Sequence, residues 1–161
     1  MQTFLPSGSP IFAAQALDNK RLNKQILEGY QILKVLSTNG KAWRNHPAVL
    51  MWEGHEGALV DYVREMITEA KHRGIKTENN EANINTLVNT YYHQWDNSKP
   101  EWMLDKQKLG RIVATHRANL YRKDPIYYAE YASAVNHKLN KPCCEKCQYF
   151  WPTHKEKYGT R

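Results

Sequence analysis

A chain of 161 residues with 41% hydrophobic residues suffices for one compact domain with its own core, and 23 Lys and Arg against 16 Asp and Glu leave a formal charge of +7. That positive excess, with five Trp and ten Tyr available for stacking, makes nucleic acid the leading class of partner. No run of roughly 18 apolar residues occurs to span a membrane, and the opening MQTFLPSGSP lacks the basic and apolar regions of a secretory signal, so a cytoplasmic protein is expected.

In chain order, residues 1 to 17 place Phe4 and Leu5 before a run of turn-formers, Pro6, Ser7, Gly8, Ser9 and Pro10, and read as an extended arm. From Asp18 to Leu36 the apolar residues Leu22, Ile26, Gly29, Leu33 and Leu36 recur at steps of four and three, the spacing of a buried helical stripe. Asp18 suits the N-cap and Asn39-Gly40 the stop. Arg21, Lys24, Glu28 and Gln31 gather on another face, so a single carboxylate is expected on a solvent-facing strip, paired with Lys24 or employed in chemistry. A loop with Lys41, Trp43, Arg44 and His46 follows.

A second helix is predicted from Pro47 to Arg73 with Gly74 as its stop; its stripe is Trp52, His55, Leu59, Val63, Met66 and Ala70. Gly54 and Gly57 inside it point to a kink or a close backbone approach, and His55 reads as a hydrogen-bonded core histidine or as a catalytic one. Residues 75 to 83 are polar and read as a loop, after which Ile84, Leu87, Val88, Tyr91 and Trp95 form another stripe. The segment from Asp105 to Lys123 is a strongly basic helix with Leu109, Ile112, Val113, His116 and Leu120 inward. Its cations Lys106, Lys108, Arg111, Arg117, Arg122 and Lys123 either track a phosphate backbone or form a solvated face. After Asp124-Pro125, the segment PIYYAEYASAV reads as a short aromatic helix whose Tyr127, Tyr128 and Tyr131 stack on bases or fill the core. The tail from residue 136 is basic and loop-like, with an aromatic knot at Tyr149, Phe150 and Trp151.

The familiar catalytic signatures are missing: there is no P-loop, GxGxxG, GxSxG or HExxH. Cys144 and Cys147, with Cys143 adjacent and His137 or His154 within reach, form either a small zinc knuckle or a set of unpaired thiols. No disulfide framework is expected.

Several stretches nevertheless occur together in a telling order. They are Met1 to Pro6, Leu17-Asp18 with Lys20-Arg21-Leu22 and on to Glu28, and Trp43-Arg44-Asn45-His46-Pro47-Ala48. Met51-Trp52-Glu53-Gly54-His55-Glu56 follows, then His116-Arg117-Ala118-Asn119-Leu120 with Arg122-Lys123-Asp124-Pro125. Through these the chain resembles the pyrimidine dimer DNA glycosylase family of the phage endonuclease V type, in its branch beginning MQTFLP. The resemblance implies an all-α, single compact domain that binds damaged double-stranded DNA as a monomer, without metal or cofactor. It further implies that the amine at the chain start attacks the sugar C1′, expels the base and leaves an imine, and that β-elimination then nicks the strand. Glu28 matches the assisting glutamate.

Met1 and Glu28 are therefore the expected catalytic groups. An α-amine, with a reference pKa of about 7.7 to 8.0, needs no special environment to be partly unprotonated near neutrality. Gln2 after Met1 favours a retained Met1. The family has arginines just before and three after its glutamate, where this chain has Leu27 and Gln31, so Arg21, Lys24 or Arg44 must hold phosphates instead. The expected DNA-binding set is Gln2, Lys20, Arg21, Lys24, Gln31, Arg44, His46, His55, Arg117, Arg122, Lys123, Tyr127 and Tyr128. The helical domain is expected over residues 1–135 and a Cys/aromatic tail over 136–161. The alternatives are a non-catalytic basic DNA-binding protein and a glycosylase for another modified base.

Overall fold

The helix predicted from Asp18 forms as α2, Asn19–Thr38, in a computed structural model that describes residues 1–134 and 149–153. Asp18 caps it by accepting from the Arg21 amide at 3.3 Å, and Asn39 ends it in the left-handed conformation with φ 53°. All five stripe residues are buried. α2 packs on α4 (Glu56–His72) and α5 (Glu78–Tyr91). Where α2 meets α4, a Cβ on Gly29 would collide with Val63 Cγ2, so glycine sets how closely the two backbones approach.

Four boundaries depart from expectation. The second half of the arm is helical: α1 (Pro10–Ala16) has Pro10 at its first position and buries Ala13 and Ala14, packing on α4. The predicted helix 47–73 is two helices, α3 (Pro47–Leu50) and α4, separated by a turn through Gly54 at φ 77°. Gly57 is the close approach, since a Cβ there would lie 2.8 Å from the Asn97 Cα. The polar stretch after residue 75 is a loop only up to Thr77; α5 starts at Glu78, where the Thr77 hydroxyl donates to Glu81 at 2.9 Å and Lys71 pairs with the same carboxylate. A narrow stripe, Ile84 and Leu87, was enough to dock it.

α6 (Glu101–Leu104) buries Trp102, whose indole N–H donates to the Met51 carbonyl at 2.7 Å. α7 (Lys106–Lys123) forms as predicted, capped by Asp105. The fourth departure follows it: the aromatic segment is a turn and then a 3-10 helix, Ala129–Ala134. Asp124 accepts from the Tyr127 amide through its side chain and from the Tyr128 amide through its carbonyl, closing a turn where an α-helix was expected.

The fold is all-α, with no strand among the described residues. None of their helices is long and apolar enough to cross a membrane. Cys143, Cys144 and Cys147, like His137 and His154, lie outside the described residues, as does the expected 135/136 boundary.

Candidate active site

The first six residues are held by buried side chains arriving from three directions. Gln25 of α2 uses both ends of its amide, accepting from the Phe4 N–H at 2.7 Å and donating to the Gln2 carbonyl at 3.0 Å. Tyr62 of α4 donates to the Phe4 carbonyl at 2.6 Å, and the Trp52 indole donates to the Thr3 hydroxyl at 3.1 Å. From α7, His116 Nδ1 accepts from the Leu5 amide at 2.8 Å and Arg117 Nε donates to the Pro6 carbonyl at 2.6 Å. Thr3, Phe4 and Leu5 are buried. All but the Trp52 contact satisfy a backbone group of the arm that would otherwise need water, so the chain start is fixed rather than frayed.

That fixing delivers the α-amine of Met1 to Glu28, with its nitrogen 3.7 Å from Oε1. Lys24 Nζ stands 3.8 Å from the same oxygen. Glu28 is 7% exposed, which corrects the expected solvent-facing carboxylate: the arm lies across that part of α2. Its other oxygen, Oε2, is buried and has no hydrogen-bond partner. A buried carboxylate oxygen in that state is poised to bond something that is not part of the chain.

Around the pair the charges are mostly positive. Burial, together with the nearby cations of Arg21 and Lys24, holds the Lys123 pKa below its ordinary value, and Glu28 offsets this in part. Arg21 is committed to Asp18 at 3.1 Å. Burial alone would raise the Asp18 carboxyl, but hydrogen bonds from Tyr128 and Arg21 outweigh it and lower the pKa. Burial and then the charge of the N-terminal amine lower His46, which keeps that imidazole neutral at the site's edge. His46 also caps α3, accepting from the Ala48 amide at 3.1 Å.

The remaining predicted residues separate by place. Lys20, Lys24 and Gln31 are exposed along α2. Gln2 accepts from the Thr3 amide and lies beside the buried hydroxyl of Tyr149, which is near it without a well-formed hydrogen bond. Arg44 pairs with Glu53. His55 contacts the Ser98 carbonyl at 3.1 Å, across the start of α4 from the loop after α5, and no contact joins it to Met1 or Glu28. Arg117 also lies over the Tyr131 ring, and Arg122 is half-buried. Tyr127 is 50% exposed, whereas Tyr128 is 1% exposed with its hydroxyl bound to Asp18, so its ring has no free face for a base. Tyr131 is likewise core.

Gln25, Tyr62 and Thr3 were not singled out in the sequence, although Gln25 carried a signal: it is a polar side chain three residues after Leu22, on the buried stripe. Tyr62 and Thr3 carried none. The tail adds another contribution, because Tyr149 and Trp151 pack edge-on to His116, and Trp151 reaches His46 with ring centroids 6.1 Å apart.

A primary amine beside a buried carboxylate, ringed by cations, can add to an electrophilic carbon of an anionic substrate while the carboxylate moves the protons. No group of three His, Cys, Asp or Glu among the described residues is placed to hold a metal. Compared with known families, residues 1–83 match the model described as pyrimidine dimer DNA glycosylase. Neither the curated proteins nor the solved structures give a match.

Proposed function

The chain belongs to the pyrimidine dimer DNA glycosylase family, and on that premise we propose that it excises a damaged base from duplex DNA and then nicks the strand as an abasic-site lyase. The neutral Met1 nitrogen attacks C1′ of the damaged nucleotide, and the C1′–base bond breaks with its electron pair leaving on the base, which takes up a proton. The nitrogen gives up a proton, the C1′–O4′ bond opens with O4′ protonated, and an imine joins the chain to C1′. Loss of a C2′ proton then expels the 3′ phosphate. Glu28 serves these transfers: Oε1 faces the amine, and Oε2, the oxygen without a partner, serves the sugar. Lys24, Arg21 and Lys123 supply positive charge for the flanking phosphates.

The 3.7 Å approach of the amine to a 7% exposed carboxylate carries this reading. Borohydride reduction during incubation tests it on duplexes that carry an abasic site, a pyrimidine dimer or no damage. A covalent protein–DNA adduct is expected with the first two only. No adduct on any duplex, with DNA binding intact, leaves a non-catalytic DNA-binding protein; an adduct on the abasic duplex alone assigns the base-excision step to another lesion.

A further inference from the structure

Trp43 is the one tryptophan of five that is more exposed than buried: its residue is 56% exposed, whereas Trp52 and Trp102 are buried and Trp95 and Trp151 are half-buried. Its backbone is unusual as well. At φ 62° it occupies the left-handed region, where bulky side chains are rare and glycine or asparagine is at ease. The turn imposes this, since the His46 amide donates to the Trp43 carbonyl at 2.9 Å and the Arg44 amide to the Lys41 carbonyl at 3.4 Å. A large apolar ring at such a position serves neither the backbone nor the core, and strain of this kind collects where a site needs a particular side chain.

Its location says what the ring faces. The indole meets His46 edge-on with centroids 5.7 Å apart, and His46 is close enough to the Met1 amine to feel its charge. Lys41 is exposed in the same loop, and Arg44, held by Glu53, adjoins the ring on its other side in sequence. An exposed aromatic with an exposed cation such as Lys41 beside it is the pattern that stacks on unpaired bases while the cation follows the phosphates.

Resting on the glycosylase reading, we propose that the Trp43 indole stacks on a nucleobase face left uncovered at the damage site and so positions the attacked sugar over the Met1 amine. The base is either the one opposite the attacked nucleotide or its 3′ neighbour; both present the same π-face.

The test uses the full chain and duplexes holding a tetrahydrofuran abasic analogue, with 2-aminopurine placed opposite the analogue or 3′ to it. In one of the two placements, 2-aminopurine emission is expected to be several-fold lower with the unmutated protein than with Trp43→Gly, and Trp43→Phe should restore most of the quenching. Trp43→Gly should bind the analogue duplex on the order of tenfold more weakly, the size base–aromatic stacking commonly carries, with undamaged duplex little affected. Because glycine accepts a positive φ, its thermal midpoint should be unchanged or higher, which separates a lost ring from a lost fold. Equal emission in both placements with equal affinity overturns the proposal, and the placement that is quenched identifies the base. A borohydride adduct formed at the same rate by Trp43→Gly also counts against it; failure of the unmutated protein to form any adduct overturns the glycosylase reading instead.

Discussion

Helices α2 and α7 carry the same pattern in sequence, an apolar stripe with cations beside it, and the fold uses the two strips differently. On α2, Lys24 keeps a side chain that is 62% exposed, while Glu28, one turn on, is sealed against the chain's own first nitrogen. On α7, Arg117 is spent on the Pro6 carbonyl and the Tyr131 ring, Arg111 lies 4.0 Å from the centre of the Phe150 ring, and Lys108 pairs with Glu101 at 2.8 Å. What separates the two is the segment that crosses each strip. The arm lies over part of α2 and leaves Lys20, Lys24 and Gln31 open, whereas on α7 the arm and the Tyr149–Trp151 segment take up cations that the sequence left for a phosphate backbone. α2 thus carries the enclosed carboxylate, and α7 is largely the splint that holds the chain's first nitrogen against it.

Blocking the Met1 amine by acetylation or an N-terminal extension should have the largest effect, reducing strand cleavage to background in a nicking assay while duplex binding persists. Cleavage by the extended protein would move the nucleophile to a side chain and dissolve the contrast between the helices. Glu28→Gln should come next, with turnover down about 10²- to 10⁴-fold, the range of a lost general acid–base, and little change in DNA affinity; single-turnover rates and a binding titration measure the two separately. On the splint, Arg117→Ala leaves the Pro6 carbonyl without its charged donor and should cost about 1.5–3 kcal/mol in denaturant unfolding. Lys24→Ala should leave that stability nearly unchanged and instead flatten the salt dependence of DNA binding by about one counterion. Equal stability losses in these two variants would erase the distinction between the two helices.

Acidity probes the same splint. Burial lowers the His116 pKa to about 3, so the folded chain keeps the ring neutral and the Leu5 amide bonded to Nδ1. The unfolded chain, with an ordinary histidine near 6.5, takes up that proton first. The sign is therefore destabilisation on acidification: this contribution is present in full above about pH 6.5 and is lost as pH falls toward about 3, at about 1.4 kcal/mol per unit for the single group. Thermal unfolding between pH 7 and pH 5 should show it, with His116→Gln flattening the slope. Gly29→Ala tests packing alone: the new methyl forces Val63 to shift and costs about 1–3 kcal/mol without touching the charged strip, and calorimetry against the unmutated protein measures it.

Much of the fold was legible because helix periodicity and end signals are local. Asp18, Asn39, Asp105 and Gly74 mark the ends they were read to mark, and the stripe of α2 is buried as spaced, as is that of the predicted second helix apart from His55, which is only half-buried. The misread boundaries fell where one local signal serves two structures. Ser9-Pro10 opens a helix as readily as a turn, and the Thr77–Glu81 bond starts α5 within a stretch that composition alone makes a loop. Of the site, Met1 and Glu28 were named from a resemblance rather than from spacing, and the clamps on the arm went largely unseen, because Gln25, Tyr62 and His116 matter only through contacts with residues 21 to 111 positions away.

By itself the sequence determined an all-helical chain, the face that α2 buries and the positive charge, since each depends on residues a turn or two apart or on a plain sum. Tertiary structure alone decided that Glu28 is enclosed rather than solvated, that α7 gives cations to packing, that Tyr128 is core while Trp43 is exposed, and that the first nitrogen of the chain sits against a carboxylate. The physical reason is that burial and pairing of a charge depend on which distant segment crosses it, and that crossing is fixed by the arm's hydrogen bonds to three separate parts of the core.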